Sequence, residues 1–279
     1  MTATVPDDIE ATRRVRLLVA YRGGAFHGFA ANRDVTTVVG ELGIALGRAL
    51  RRDVRLVGAG RTDAGVHAWG QVVSCDVPVS TDLSHVVRRV NAQCAPRVVV
   101  RAAEWAPQDF DARFSALWRR YRYTIVNREA PDPFSAGTTW HVEQPLSLTA
   151  LRLASDALVG EHDFASFCRR PKGDPGATLV RRVLDTTWHD MGDSEPTESD
   201  RRGVLQFEIT GTAFCHQMVR SIVGTLVEVG TGRRRPSDVL QILRARDRAA
   251  AGQVAPPHGL CLWEVGYPPD PDGSLPFRA

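Results

Sequence analysis

Two rhythms of apolar and polar positions run along this chain, and they predict its strands and helices. Residues 15–21 (VRLLVAY) are aliphatic-rich and read as a strand. Residues 36–50 place Val39, Leu42, Ala45, Leu46, Ala49 and Leu50 at the spacing of an amphipathic helix. A short apolar stretch at 54–57, a glycine-rich loop and a strand at 71–77 come next. A helix at 84–90 and a strand at 97–102 complete the first part.

The rhythm restarts near Phe110. Residues 121–126 alternate as a strand. Residues 147–159 place Leu148, Leu151, Ala154 and Leu158 on one helical face, with Ser147 as a cap. Two more strands are predicted at 180–188 and 204–209. Between them, 190–200 is acidic and rich in Gly, Pro, Ser and Thr, the composition of a solvated hairpin loop. Residues 216–229 form a strongly apolar helix, and 236–243 another. The Pro- and Asp-rich end reads as loose. The expected organisation is a half at 11–109, a half at 110–267, and loose tails at 1–10 and 268–279. Each half reads as strand, helix, strand, strand. The fold class is α+β, with helices layered on one face of a mainly antiparallel sheet.

Composition narrows the class. With 279 residues, 43% hydrophobic and 24% charged, the chain can bury a sizeable core. Its net charge of +3 does not by itself point to nucleic acid. Lys172 is the only lysine, so 34 of 35 basic residues are arginine. Arginine forks onto phosphate and stacks on bases, although a GC-rich genome alone produces the same bias. Five scattered cysteines without a C-x-x-C pair suggest reduced thiols and a cytoplasmic setting. No His/Cys cluster has metal-ligand spacing, so no metal site is expected. No apolar run reaches the roughly 18 residues of a membrane span. The polar start lacks a signal-peptide core.

The most informative stretch is 58–70, GAGRTDAGVHAWG. It puts a carboxylate, Asp63, in a glycine-rich loop between two apolar segments, where rigid strands present reactive side chains. A lone G-x-x-D-x-G is most simply a turn with Asp bonded to its own backbone. The whole run, however, resembles the signature G-R-T-D-A-G-V-H-x-x-G-Q-V of the tRNA pseudouridine synthase A family. Residues 110–116 (FDARFSA), 119–123 (RRYRY), 161–167 (EHDFASF), 213–220 (AFCHQMVR) and 259–262 (GLCL) resemble further family motifs in the same order.

The resemblance implies that Asp63 is the nucleophile, that Tyr121 stacks on the target uracil, and that Arg220 pairs with the carboxylate. It implies that Leu260 walls the pocket, with His67 of the first motif also expected at the substrate. It further implies that the halves join edge to edge into one broad sheet with a central active-site cleft. It implies a homodimer that binds tRNA and modifies positions 38 to 40 of the anticodon stem-loop. Arg61 is assigned to phosphate or base orientation. Arg51, Arg52 and Arg55, and Arg169, Arg170 and Lys172, are candidate phosphate contacts.

The chemistry fits these residue types. Pseudouridine forms when the N1–C1′ bond breaks, the uracil rotates and C5 rejoins the ribose. Nothing is added and no redox change occurs, so no cofactor is expected. A carboxylate can attack as a nucleophile or stabilise charge at C1′. A nearby guanidinium favours its ionised form with two hydrogen bonds. The base must be flipped out, at a cost of a few kcal/mol. The Tyr121 ring could offset part of that, and its hydroxyl could assist proton removal at C5.

The pattern departs from the family at 21–32 and at 39. Arg22, Phe29, Ala30, Asn32 and Val39 replace the usual Asp, Trp and three Gln. Three functions therefore stand: the synthase on its usual target, the same chemistry on another RNA or a narrower tRNA set, and a non-catalytic RNA-binding protein.

Overall fold

The computed structural model describes residues 11–170, 173–174, 176–193 and 202–277. The expected tail at 1–10, Lys172 and most of the acidic loop lie outside them.

The first half runs β1 (Thr12–Tyr21), α1 (Val38–Leu50), β2 (Val57–Gly58), β3 (His67–Pro78), α2 (Leu83–Cys94) and β4 (Val98–Trp105). The second runs β5 (Trp118–Asn127), β6 (Trp140–Val142), α3 (Leu148–Asp156), β7 (Gly160–Asp163), β8 (Val180–Asp190), β9 (Val204–Gly211), α4 (Met218–Gly230), α5 (Asp238–Ala245) and β10 (Leu260–Gly266).

One sheet holds every strand, in the order β4-β1-β3-β10-β5-β9-β8-β7, with β2 on β3 and β6 on β5. All neighbours are antiparallel except β3–β10 and β5–β6. In each half the first strand is flanked by the last strand and by the strand before the late helix: β4-β1-β3 and β10-β5-β9. The halves are thus strand, helix, strand, helix, strand. The expected strand, helix, strand, strand lacked β10, and also the short β6 and β7.

β10 is also the join. It pairs parallel to β3 through only Cys261–His67 and Leu262–Ala68, immediately after the Asp63 loop. A side chain on Gly70 would overlap the Trp263 carbonyl, so this close approach requires glycine.

Alternation along the strands sorts the two faces. Val15, Leu17, Val19 and Tyr21 of β1, with Tyr121, Tyr123 and Ile125 of β5, point into one continuous core that receives buried residues from all five helices. A smaller cluster on the other face contains Val72, Phe110, Ala112 and Tyr267. There the segment after β10 is held, not loose, as far as Phe277. Asp270 takes a bidentate pair from buried Arg16 at 2.8 and 2.6 Å, and the Phe277 N–H donates to Glu104 at 3.2 Å. A Pro- and Asp-rich composition does not reveal a buried arginine waiting for a carboxylate.

Periodicity misjudged some ends. Of the stretch at 54–57, only Val57 enters a strand. The third helix stops at Asp156, and β7 begins at Gly160. The fourth starts at Met218 rather than 216, because Gln217 is left-handed at φ 63°.

Candidate active site

The loop between β2 and β3 is pinned from both sides. The Ala59 N–H donates to Val72 O at 2.8 Å, and the Val66 N–H closes a turn on Asp63 O at 3.1 Å. Thr62 O accepts from the Phe29 N–H at 3.1 Å, and its hydroxyl meets the Tyr21 hydroxyl at 2.8 Å. Fully buried Gln71 donates to Gly60 O at 2.8 Å and to the Tyr21 hydroxyl at 3.3 Å. Phe29, one of the residues that departs from the family pattern, stacks on Tyr21 in the core. It supports the loop from behind.

The Asp63 carboxylate turns away from its own backbone. Its Oδ2 accepts from Arg220 Nη1 at 3.1 Å, a contact between residues 157 positions apart. Its Oδ1 lies 3.3 Å from His216 Nε2. Asp63 and Arg220 are mostly enclosed, at 23% and 13% side-chain exposure, whereas His216 is half exposed. Arg220 is itself fixed. Its Nε donates to Ala255 O at 2.8 Å, while the Ala255 N–H donates back to Arg220 O at 3.1 Å. One guanidinium thus ties the loop of the first half to a helix and a C-terminal segment of the second.

Tyr121 reaches this site from β5. Its ring is buried, edge-on to Phe214 with centroids 5.1 Å apart. Among the described residues its hydroxyl makes no hydrogen bond. Burial pushes the phenol's pKa well up; Arg119 opposes the shift and the Asp63 carboxylate adds to it. Tyr121 therefore keeps its proton at neutral pH. Leu260 is buried as the register partner of Tyr123, and Leu262 is the partner of Tyr121. Arg119 fastens the surrounding loops through the carbonyls of Ala59, Arg113, Ala116 and Thr212.

The other expected site residues divide. Arg61 is exposed beside Asp63, with no hydrogen-bond or ion-pair partner among the described residues. Arg169 and Arg170 are exposed near His216, whose carbonyl accepts from the Arg169 N–H at 3.0 Å. Arg51, Arg52 and Arg55 are exposed at and beyond the end of α1. His67 is placed differently from expectation. It is buried, its Nδ1 accepts from the Gly23 N–H at 3.0 Å, and its Nε2 faces the carbonyls of Gly137 and His258 at 3.1 Å. Both ring nitrogens are used by backbone, so it clamps loops together and has none left for a substrate. Burial lowers its pKa and keeps it neutral.

Sequence reasoning passed over His216, Gln71, Tyr21 and Phe214. His216 stands inside the motif at 213–220, but in a position that the motif leaves variable. Among the described residues no group of three or more His, Cys, Asp or Glu could hold a metal ion.

Comparison with known proteins identifies the family. Residues 154–268 match the family model described as tRNA pseudouridine synthase. A tRNA pseudouridine synthase A of Cutibacterium acnes is 42% identical, over 93% of this chain and 90% of its own length. Its counterpart in Leifsonia xyli subsp. xyli is 41% identical over 92% of both chains, and that of Brevibacillus brevis 39% over 91% of this chain and 100% of its own. The chain belongs to the tRNA pseudouridine synthase A family.

Proposed function

We propose that this chain isomerises uridine to pseudouridine at positions 38 to 40 of the tRNA anticodon stem-loop, with Asp63 as nucleophile. The observation that carries the reading is the Asp63–Arg220 pair at 3.1 Å, set beside Tyr121 at the seam of the two halves. A polyanion-binding surface has no use for an enclosed carboxylate unless that carboxylate reacts.

Arg220 engages Oδ2, so Oδ1 is the oxygen free to attack, either at C1′ or at the base. His216 is that oxygen's one described contact and marks the open side of the site. Tyr121 and Phe214 offer aromatic surface for the flipped uracil, with stacking worth about 1–3 kcal/mol. Because the Tyr121 phenol holds its proton, stacking is its better supported role; a part in removing the C5 proton would first require it to lose its own. Arg61, Arg169 and Arg170 would steady the phosphates around the flipped nucleotide. Isomerisation is redox-neutral, and the proposed chemistry calls on no cofactor.

The family's relatives are named for tRNA, and tRNA is the partner proposed here. We infer a cytoplasmic enzyme working as a homodimer; no helix among the described residues is long and apolar enough to cross a membrane. Light scattering that shows a monomer both free and with tRNA would remove the dimer.

The substrate test is a pseudouridine map of cellular RNA with and without this chain, repeated with purified protein on transcribed tRNA. Loss and restoration at positions 38 to 40 is expected. Loss elsewhere would move the target to another RNA, and no change at all would leave only RNA binding.

A further inference from the structure

Beyond the carboxylate site, a second concavity of about 290 Å³ opens beside His216. Its walls carry Arg169, Arg170, Arg246 and Arg248, with Gln217, the residue after His216, on its rim. Four arginines line it, in a chain whose whole net charge is +3. The carboxylate that meets them is Asp163, 3.4 Å from Arg246 Nε. The arginines come from two segments far apart in sequence, the loop after β7 and the turn after α5. Arg248 is braced on Ser221 of α4 at 2.9 Å, and Arg170 on Ala177 O at 3.2 Å. Arg246 and Arg169 are the least fastened cations of the set. Arg246 is 70% exposed, and Arg169 has no side-chain partner among the described residues.

The lining, four arginines with Gln217 and few apolar side chains, suits a phosphate group better than a base. Arginine binds phosphate bidentately through its planar fork. Like charges lining one cleft favour an anion bound among them. The cleft also joins the reactive site through a single turn, because the Arg169 N–H holds the carbonyl of the same His216 whose ring meets Asp63.

We propose that this cleft is a subsite for one RNA backbone phosphate, next to the nucleotide held at Asp63, with Arg246 released from Asp163 to join Arg169 on it. The inference rests on the isomerase reading for the identity of that nucleotide, but not for the binding of phosphate.

The test measures affinity for an anticodon stem-loop RNA over a range of salt, for the wild type, Arg169→Gln with Arg246→Gln, and the surface control Arg88→Gln. Thermal melting verifies that each is folded. The double variant should bind about tenfold more weakly at about 0.1 M salt. Its slope of log K against log salt should be shallower by about 0.7 to 0.9, the share of one neutralised phosphate. A stem-loop carrying a neutral methylphosphonate at the flanking phosphate should bind wild type as weakly as the double variant binds normal RNA, with no further loss when the two changes are combined. A slope equal to that of Arg88→Gln, or additive losses at every phosphate position, would overturn the subsite. Pseudouridine formation by wild type is scored separately. If it forms and the slope does not move, the subsite alone falls. If none forms and the slope still drops, the subsite stands and the isomerase reading falls.

Discussion

The helices α2 and α4 hold comparable places in the two halves, each following the strand that pairs with the first strand of its half, β3 on β1 and β9 on β5, yet they are opposite in character. α2 buries only Val86, Val90 and Cys94, one stripe of an amphipathic helix. α4 buries every residue except Arg220 and Glu228, its only charges. The difference comes from a covering segment at 252–255 that α2 lacks. Thr225 accepts from the Gly252 N–H at 2.9 Å, Glu228 from the Gln253 N–H at 3.3 Å, and Arg220 exchanges bonds with Ala255. Gly224 makes this possible, since any side chain there would overlap the Gln253 carbonyl. One position in the fold is thus a solvated brace in the first half and a fixed mount for the Asp63–Arg220 ion pair in the second.

Removing the mount should show the contrast most strongly. Arg220→Ala is expected to lower the single-turnover rate by about 10²- to 10³-fold, the usual cost of one preorganised electrostatic partner. Arg88→Ala on α2 should leave the rate alone and change stability by less than about 0.5 kcal/mol. Equal effects at the two positions would undo the comparison. Arg220→Lys should fall between, because an ammonium cannot reach Asp63 and Ala255 as a fork does.

The two buried tyrosines flanking the Asp63 loop repeat the contrast. Tyr21 has its hydroxyl committed to Thr62 and Gln71, whereas that of Tyr121 is unbonded among the described residues. Tyr121→Leu should lose about 1–3 kcal/mol of stacking, roughly 5- to 150-fold in activity, and Tyr121→Phe should lose far less. Tyr21→Phe should instead cost stability, about 0.5–1.5 kcal/mol for the missing hydrogen bonds. A collapse of activity in Tyr121→Phe would assign the hydroxyl a role in proton transfer.

Packing gives a smaller effect. Gly224→Ala should destabilise by about 1–3 kcal/mol in denaturant titrations, against less than about 0.5 kcal/mol for Gln93→Ala on α2.

Smaller still is a pH effect at the seam. Folding lowers the His67 pKa below its ordinary 6.5, so the unfolded chain takes up a proton that the folded one refuses. Stability from this group is complete above pH 6.5 and declines as pH falls through the lowered value. His67→Asn should flatten the melting temperature in that window relative to wild type; parallel curves would mean that His67 does not contribute.

Much of this molecule was legible in its sequence. The helical faces of α1 and α3 came from spacing alone. The loop of Asp63, the strand of Tyr121 and the helix of Arg220 each carried its own motif. Apart from the pairing of Arg220 with Asp63, which the family resemblance implied, contacts between distant segments could not be read. β10 is short and mixed in composition, and only its place between β3 and β5 makes it the keystone. His67 looked like a substrate contact because it stands in the signature, and only its backbone contacts to Gly23, Gly137 and His258 reveal a clamp. The fastening of the C-terminal segment to Arg16, and the placing of Arg169 and Arg246 around one cleft, likewise arise from tertiary proximity.

The central claim is that Asp63 is the reacting group, held for that purpose by Arg220. Asp63→Asn preserves the shape and removes the charge. Single-turnover conversion of an anticodon stem-loop, measured beside RNA affinity in the same preparation, tests it most directly. No detectable pseudouridine is expected, with affinity near that of wild type; measurable turnover in Asp63→Asn would remove Asp63 from the reaction.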